Sequence, residues 1–328
     1  MFGSDPATVV ITLALASGLD FCLGDPWSWP HPVQFMGGYI QRYQQLLLPR
    51  ISSAWGQRCL GVGLMLSLVA LVVLGSCGLL LWLDQRLPLL SQLTAVVLLA
   101  SCLAGRSLRL AAEAVLGPLE RGELGAARDR LSRYVGRDTA QLSPAEIYRA
   151  VFETVTENAV DGVLAPLFYA ILGSFTPWGP VPWALGYKAL STLDSMVGYR
   201  QMPYTHLGWC SARTEDFATW LPCRLAVLWV ALASGQPGRV LRLCWRDARQ
   251  DPSPNAGWSE CAYAAALGVQ VGGANVYGGV VRQKPLLGDD VQPVTAERIG
   301  RALQLTRWCF LSWLGGAIAL QAFVGIAL

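Results

Sequence analysis

From Cys59 to Leu83 the chain runs 25 residues without one charged side chain. A helix of about 20 apolar residues crosses the hydrocarbon core of a bilayer, and only helices and closed barrels can do so with every backbone group satisfied. This run therefore predicts a membrane span. Composition agrees: 14% of the 328 residues are charged, 53% are hydrophobic, and the mean hydropathy is +0.39. Soluble domains average about 25% charge, and so sparse a supply cannot clothe this much apolar mass. Disorder is excluded on the same grounds. A net charge of +3 with no long basic run argues against nucleic acid as a partner.

Further spans are predicted at Thr8–Leu23, Leu89–Ala104, Phe217–Ser234 and Trp308–Leu328. Two shorter stretches, Val163–Phe175 and Val181–Val197, flank the turn Thr176-Pro177-Trp178-Gly179-Pro180 and read either as a tight hairpin or as re-entrant segments. Eight arginines between Arg106 and Arg149 place that segment in the cytoplasm by the positive-inside rule. The loop Asp25–Arg58 and the region Arg239–Arg307 fall on the same side, with the N-terminus outside. The first apolar run lacks a basic leader and a cleavage site, so it is expected to be a retained span. The expected fold class is all-α: a polytopic integral protein of the inner (plasma) membrane, with a cytoplasmic helical insert, re-entrant segments and a cytoplasmic working face. Residues 1–104 form a first membrane region, 105–162 the insert, 163–235 a second membrane region, 236–307 a cytoplasmic motif region and 308–328 the last span. Nine cysteines without a CxxC pair predict free thiols acting as small core residues.

Within the insert, Ser143-Pro144-Ala145-Glu146 is a capping box, starting a helix expected to run to about Asp161, where Gly162 ends it. Glu146, Glu153 and Glu157 stack on one face of it. Glu153, Glu157 and Asp161 enter an apolar run at i, i+4 and i+8, where like charges repel. A bound Mg²⁺ or a set of arginines removes that cost; a solvated acidic face is the plain alternative. The chain has 23 arginines and two lysines, and one lysine, Lys188, sits in an apolar segment with Asp194 six residues on. Intramembrane ionisable groups are expensive and point to function, against a lysine snorkelling to the interface. Asp20, Asp25 and His31 surround a stiff proline-rich loop, which either positions groups or anchors Trp27 and Trp29 at the interface. Ser253-Pro254-Asn255-Ala256-Gly257-Trp258-Ser259-Glu260 leads to a small-residue segment ending in Gly272-Gly273-Ala274-Asn275, suited to close approach by a ligand or another helix. No Walker A, GxGxxG or HExxH pattern is present.

These stretches carry a resemblance. Gly24-Asp25-Pro26 with His31-Pro32-Val33, Arg137-Asp138-Thr139, Glu153 through Gly162, and Ala165-Pro166-Leu167-Phe168-Tyr169 open the series. Tyr187-Lys188-Ala189, Thr192-Leu193-Asp194-Ser195-Met196, Gly198-Tyr199, Ser211-Ala212-Arg213 and Ser253 through Trp258 with Glu260 complete it. In this order they resemble the adenosylcobinamide-phosphate synthase family, over residues near 20 to about 280. Ser191, Glu215 and Asp251 stand where that pattern commonly has Asn, Asp and His. The resemblance implies an ATP-dependent ligase that joins the carboxylate of adenosylcobyric acid to aminopropanol phosphate, or to ethanolamine phosphate, through an acyl phosphate. It implies Mg²⁺ on Glu153, Glu157 and Asp161, with Asp194 as a further ligand. Lys188, Arg137 and Arg213 would neutralise phosphate oxygens, Asn255 and Glu260 would contact the nucleotide, and a carboxylate such as Glu157 or His31 would take the amine's proton. The expected partners are the corrinoid, the amino-alcohol phosphate, the lipid bilayer and either a second copy or other membrane enzymes of the pathway. A corrinoid transporter, for which broken apolar segments also serve, and a non-catalytic scaffold are the competing readings.

Overall fold

The computed structural model describes residues 5–24, 31–199 and 201–327. Asp25, Trp27 and Trp29 of the proline-rich loop lie outside the described residues. In chain order the helices are α1 Pro6–Leu23, α2 Pro32–Leu47, α3 Ala54–Asp84, α4 Pro88–Ala100, α5 Gly105–Glu120, α6 Leu124–Leu131 and α7 Pro144–Asn158. They continue with α8 Ala165–Ser174, α9 Pro180–Val197, α10 Tyr204–Leu207, α11 Trp209–Ala233, α12 Pro237–Asp247 and α13 Ala256–Leu267. A hairpin of strands β1 Val271–Tyr277 and β2 Val280–Leu287 precedes α14, Ala296–Ala327. The fold is all-α in class, as expected, and six helices are long and apolar enough to cross a membrane: Pro6–Leu23, Ala54–Asp84, Pro88–Glu120, Pro144–Ser174, Trp209–Ala233 and Ala296–Gly325.

The chain divides into two compact units. The first comprises residues 1–104, 165–218 and 312–328. Its helices begin at legible caps: Asp5 accepts from the Ala7 and Thr8 N–H groups, with Pro6 in the first turn. Several polar side chains between its apolar helices hydrogen-bond across the packing, where water is absent. Gln92 Nε2 donates to Thr12 Oγ1 at 2.8 Å, joining α4 to α1, and Ser91 Oγ donates to the Leu80 carbonyl at 3.0 Å, joining α4 to α3. Gln321 Nε2 reaches the Ser174 carbonyl at 2.8 Å, joining α14 to α8.

The second unit comprises residues 105–164 and 219–311. Its core packs Leu131, Ile147, Val151, Phe152, Val155, Cys261 and Tyr263, and the Tyr263 hydroxyl meets Thr306 Oγ1 at 2.8 Å. The capping box forms as read, with Ser143 and Glu146 bonded reciprocally.

One expectation is corrected here. The helix from Pro144 does not stop at Gly162: residues Ala159–Leu164 form a π-helical stretch that leads directly into α8. Glycine mid-helix weakens the ladder without ending it, and the apolar residues on both sides carry the helix on. By length and composition the candidate spans Pro88–Glu120 and Pro144–Ser174 take in α5 and α7, and Val181–Val197 lies in a helix outside the six. The small-residue segment at Gly272 approaches helix α7 closely and forms a strand of the hairpin, turned at Gly278-Gly279, both with positive φ. Two such residues are what a two-residue hairpin turn requires. All nine cysteines are free, and Cys102, Cys223, Cys244, Cys261 and Cys309 are buried.

Candidate functional site

The second unit gathers its charged side chains around the hairpin. Glu153 on α7 is 1% exposed, so the solvated acidic face is set aside. Its Oε2 accepts from Arg137 Nη2, and its Oε1 accepts from the Gly272 N–H at 2.9 Å. Arg137, itself buried, also donates to Asn275 Oδ1 at 2.8 Å. Arg149, one turn before Glu153, donates to the carbonyls of Gly272 and Ala274 and to Asn275 Oδ1. Strand β1 is thus clamped to α7 by two arginines that compensate one buried carboxylate, the arrangement that makes a buried charge tolerable. Gly272 permits the close approach: its φ is +91°, and a Cβ there would lie 2.0 Å from the Pro285 carbonyl oxygen. The Asp138 carboxylate accepts from the Gly278 and Gly279 N–H groups at 3.1 and 2.8 Å, and its own N–H donates to the Val276 carbonyl. The Arg137-Asp138 pair therefore grips both the body and the turn of the hairpin.

Strand β2 then supplies Lys284, opposite Gly273 in the register. Its Nζ stands 3.5 Å from Glu260 Oε1 on α13. Glu260 is fully buried, and neither of its oxygens accepts a hydrogen bond among the described residues. Burial holds the Glu260 carboxyl well above its ordinary range; Lys284 opposes this, while Glu157, Glu153 and Asp251 reinforce it. Burial alone would lower the Lys284 ammonium, but Glu260, Glu157, Glu153 and Asp251 together outweigh it and raise it. Lys284 is thus paired with Glu260, while Arg137 and Arg149 answer for Glu153.

The loop before α13 is built by its own polar residues. Asp251 accepts from the Ser253 N–H at 2.8 Å, and Ser253 Oγ accepts from the Asn255 and Ala256 N–H groups. Asn255 is buried, and Arg224 of α11 donates to the Pro254 carbonyl at 2.9 Å while its guanidinium stacks on Trp258 and Trp220. Ser259 Oγ donates to the Thr156 carbonyl, fastening α13 to α7.

Of the residues singled out from sequence, Glu153, Glu157, Glu260 and Arg137 come together in this unit. Asp161 lies in the π-helical stretch, half-buried, with its charge felt at Cys223 of α11. Asn255 stands at the start of α13. Lys188, Asp194, His31 and Arg213 belong to the first unit. There Lys188 and Asp194 are half-buried on α9, Arg213 is exposed on α11, and His31 caps α2 through Nδ1, which accepts from the Val33 N–H at 3.2 Å. Beside Lys188, Tyr187 stacks on Tyr169 with ring centres 5.1 Å apart, and its hydroxyl approaches Glu215 Oε1 at 3.5 Å. The trio Glu153, Glu157 and Asp161 makes no metal cage: both oxygens of Glu153 are engaged, and among the described residues no three His, Cys, Asp or Glu side chains are placed to hold an ion. Sequence reading missed Lys284. The scarcity argument applied to Lys188 covers it equally, since these two are the chain's lysines.

Residues 13–306 match the model of the CobD/Cbib protein family. The chain belongs to the CobD/CbiB family. It is 48% identical to "Cobalamin biosynthesis protein CobD" of Synechocystis sp. over 97% of this chain and 94% of that one. It is 41% identical to "Cobalamin biosynthesis protein CbiB" of Salmonella typhi over 96% of each, and 41% identical to the CobD protein of Klebsiella pneumoniae over 94% of each. No solved structure matches the chain. Membership of CobD/CbiB gives this multi-span chain a role in cobalamin biosynthesis, and the charge cluster on the hairpin lies largely within motifs that first suggested the family.

Proposed function

We propose that this chain is an ATP-dependent amide ligase, acting at the cytoplasmic face of the inner membrane. It joins a carboxylate of adenosylcobyric acid to the amine of aminopropanol phosphate, or of ethanolamine phosphate, giving adenosylcobinamide phosphate. The observation that supports the reading most is the buried Glu260 of α13 paired with Lys284 of β2 in a chain of this family. Amide formation brings an anion to a cation: the carboxylate is a poor electrophile and the ammonium is no nucleophile, so both ends need charge management and the coupling needs ATP hydrolysis. Lys284 supplies fixed positive charge beside the Glu260 carboxyl, in a site shielded from water where charge is worth more than in solution. Arg137 and Glu153 position the strand that carries Lys284. Magnesium, as the nucleotide's companion, would supply charge neutralisation at phosphate oxygens, and the ATP phosphates are its principal ligands; no protein cage is assigned to it.

The test is mass-spectrometric detection of the ligated corrinoid from full-length protein in lipid nanodiscs with ATP, Mg²⁺ and both substrates. Product dependent on all three small molecules is expected. A folded protein that makes none overturns the reading, and corrinoid uptake into sealed vesicles without amide formation replaces it with a transporter.

A further inference from the structure

Glu260 is 0% exposed, the most deeply buried carboxylate among the described residues, and both of its oxygens are without hydrogen-bond partners. Buried carboxylates are ordinarily hydrogen-bonded or paired. The Lys284 ammonium is close enough to compensate charge, yet at 3.5 Å from Oε1 it stands beyond the roughly 2.7–2.9 Å of a charge-assisted hydrogen bond. Each Glu260 oxygen therefore retains its acceptor capacity. Arg137 and Arg149 answer Glu153, which leaves Lys284 as the cation beside Glu260 among the described residues. Such a carboxyl has hydrogen-bond acceptor capacity to spare, and its ionised form is stabilised by a second cation that is also a donor. A metal ion needs ligands converging at about 2 Å, and no such trio exists among the described residues. An ammonium group asks less, because each of its three N–H bonds needs only one acceptor.

We propose that Glu260, backed by Glu157 and Asp251, is the subsite for the primary ammonium of the small amino-alcohol phosphate, with Lys284 beside it. The inference rests on the amide-ligase reading for the identity of that amine. It gives Glu260 a place on the amine substrate, and it adds Asp251 and Lys284 to the site. A carboxylate with free acceptors attracts an ammonium and repels a phosphate, so the amine end of the ester is the end it orients.

The experiment measures binding by full-length protein in nanodiscs, without ATP or corrinoid, of aminopropanol phosphate and of isopropyl phosphate, the same ester without its amine. The wild type is expected to prefer the amine by about tenfold or more, the worth of one charged hydrogen bond. Glu260→Gln is expected to abolish that preference without weakening isopropyl phosphate binding. Glu157→Gln, at a half-buried position that tolerates the change, is expected to reduce it about threefold or more, and carries the test should Glu260→Gln fail to fold. Preference retained in the folded Glu260→Gln protein overturns the subsite, as does preference retained in Glu157→Gln where that variant carries the test. Amide made by the wild type with preference retained in the folded Glu260→Gln overturns the subsite alone. Preference lost in Glu260→Gln with no amide made by the wild type overturns the ligase reading and leaves the subsite standing.

Discussion

Glu260 sits where its charged form is disfavoured, and this has a sign that can be checked. Its carboxyl is raised in the folded protein by burial, against Lys284 and with Glu157, Glu153 and Asp251. In the unfolded chain it titrates near the ordinary glutamate value of about 4.3. Between those two values the folded state holds a proton that the unfolded state has released, so stability falls as pH rises through that window and levels off above the folded value. Glu260→Gln removes this loss. Its melting temperature relative to the wild type, in detergent, is therefore expected to climb from about pH 4.5 upward; a pH-independent difference contradicts the burial argument. Lys284 is tested by a cycle. Lys284→Met removes the cation facing Glu260, and is expected to destabilise the wild-type background more than the Glu260→Gln background. Additive shifts in melting temperature would show that the 3.5 Å pair carries no coupling. The carboxylates on α7 were legible because i, i+4 spacing marks one face of a helix from sequence alone. Lys284 was not, because Gln283-Lys284-Pro285 reads as an ordinary polar strand end, and its acidic neighbours reach it only through tertiary folding.

The hairpin is where sequence reading and structure part. Helix α7 announces itself through Ser143 with Glu146, because capping is local chemistry. Strand β1 begins Val-Gly-Gly-Ala, without the alternation that marks a strand, and its glycines invite a packing interpretation. Gly278-Gly279 between Val-Tyr and Val-Val was the available signal. The Gly272 N–H donates to Glu153, and the position has neither room nor the backbone angle for a side chain. Gly272→Ala is expected to cost about 2 kcal/mol or more, with the hairpin becoming protease-sensitive at Arg282; unchanged melting and proteolysis would show that the clamp on α7 is dispensable. Asp138→Ala, which removes only the acceptors at the turn, is expected to cost about 1 kcal/mol. Faster amide exchange at Gly278 and Gly279 would report it before global stability does.

At the scale of the molecule, the outside of α3 decides which solvent the first unit folds in. Over its 31 residues the helix buries few side chains, and Leu66, Leu71, Leu74, Leu79 and Trp82 are between 43% and 63% exposed. Scattered exposed leucines are normal on soluble proteins, but a helix apolar on every face and bare over most of its length is stable only in a solvent as apolar as itself. At about 1.5 Å per residue α3 is longer than the roughly 30 Å hydrocarbon core, with Leu74 well inside it. This much of the architecture was legible because hydrophobicity is a bulk property that needs no partner to be read. The grouping of charges in the second unit depends on pairings distant in sequence, such as Arg137 with Asn275 and Glu260 with Lys284. Leu74→Arg places a charge on the exposed face and breaks no buried contact. In water that substitution is neutral to within about 0.5 kcal/mol; at the centre of a bilayer arginine costs about 2.5–3.5 kcal/mol for insertion. The expected outcome is a lower fraction of Leu74→Arg protein resisting alkaline carbonate extraction, while Leu74→Ala behaves as wild type. Equal extraction of all three proteins would mean that this face of α3 meets water, and the span at Ala54–Asp84 would have to be withdrawn.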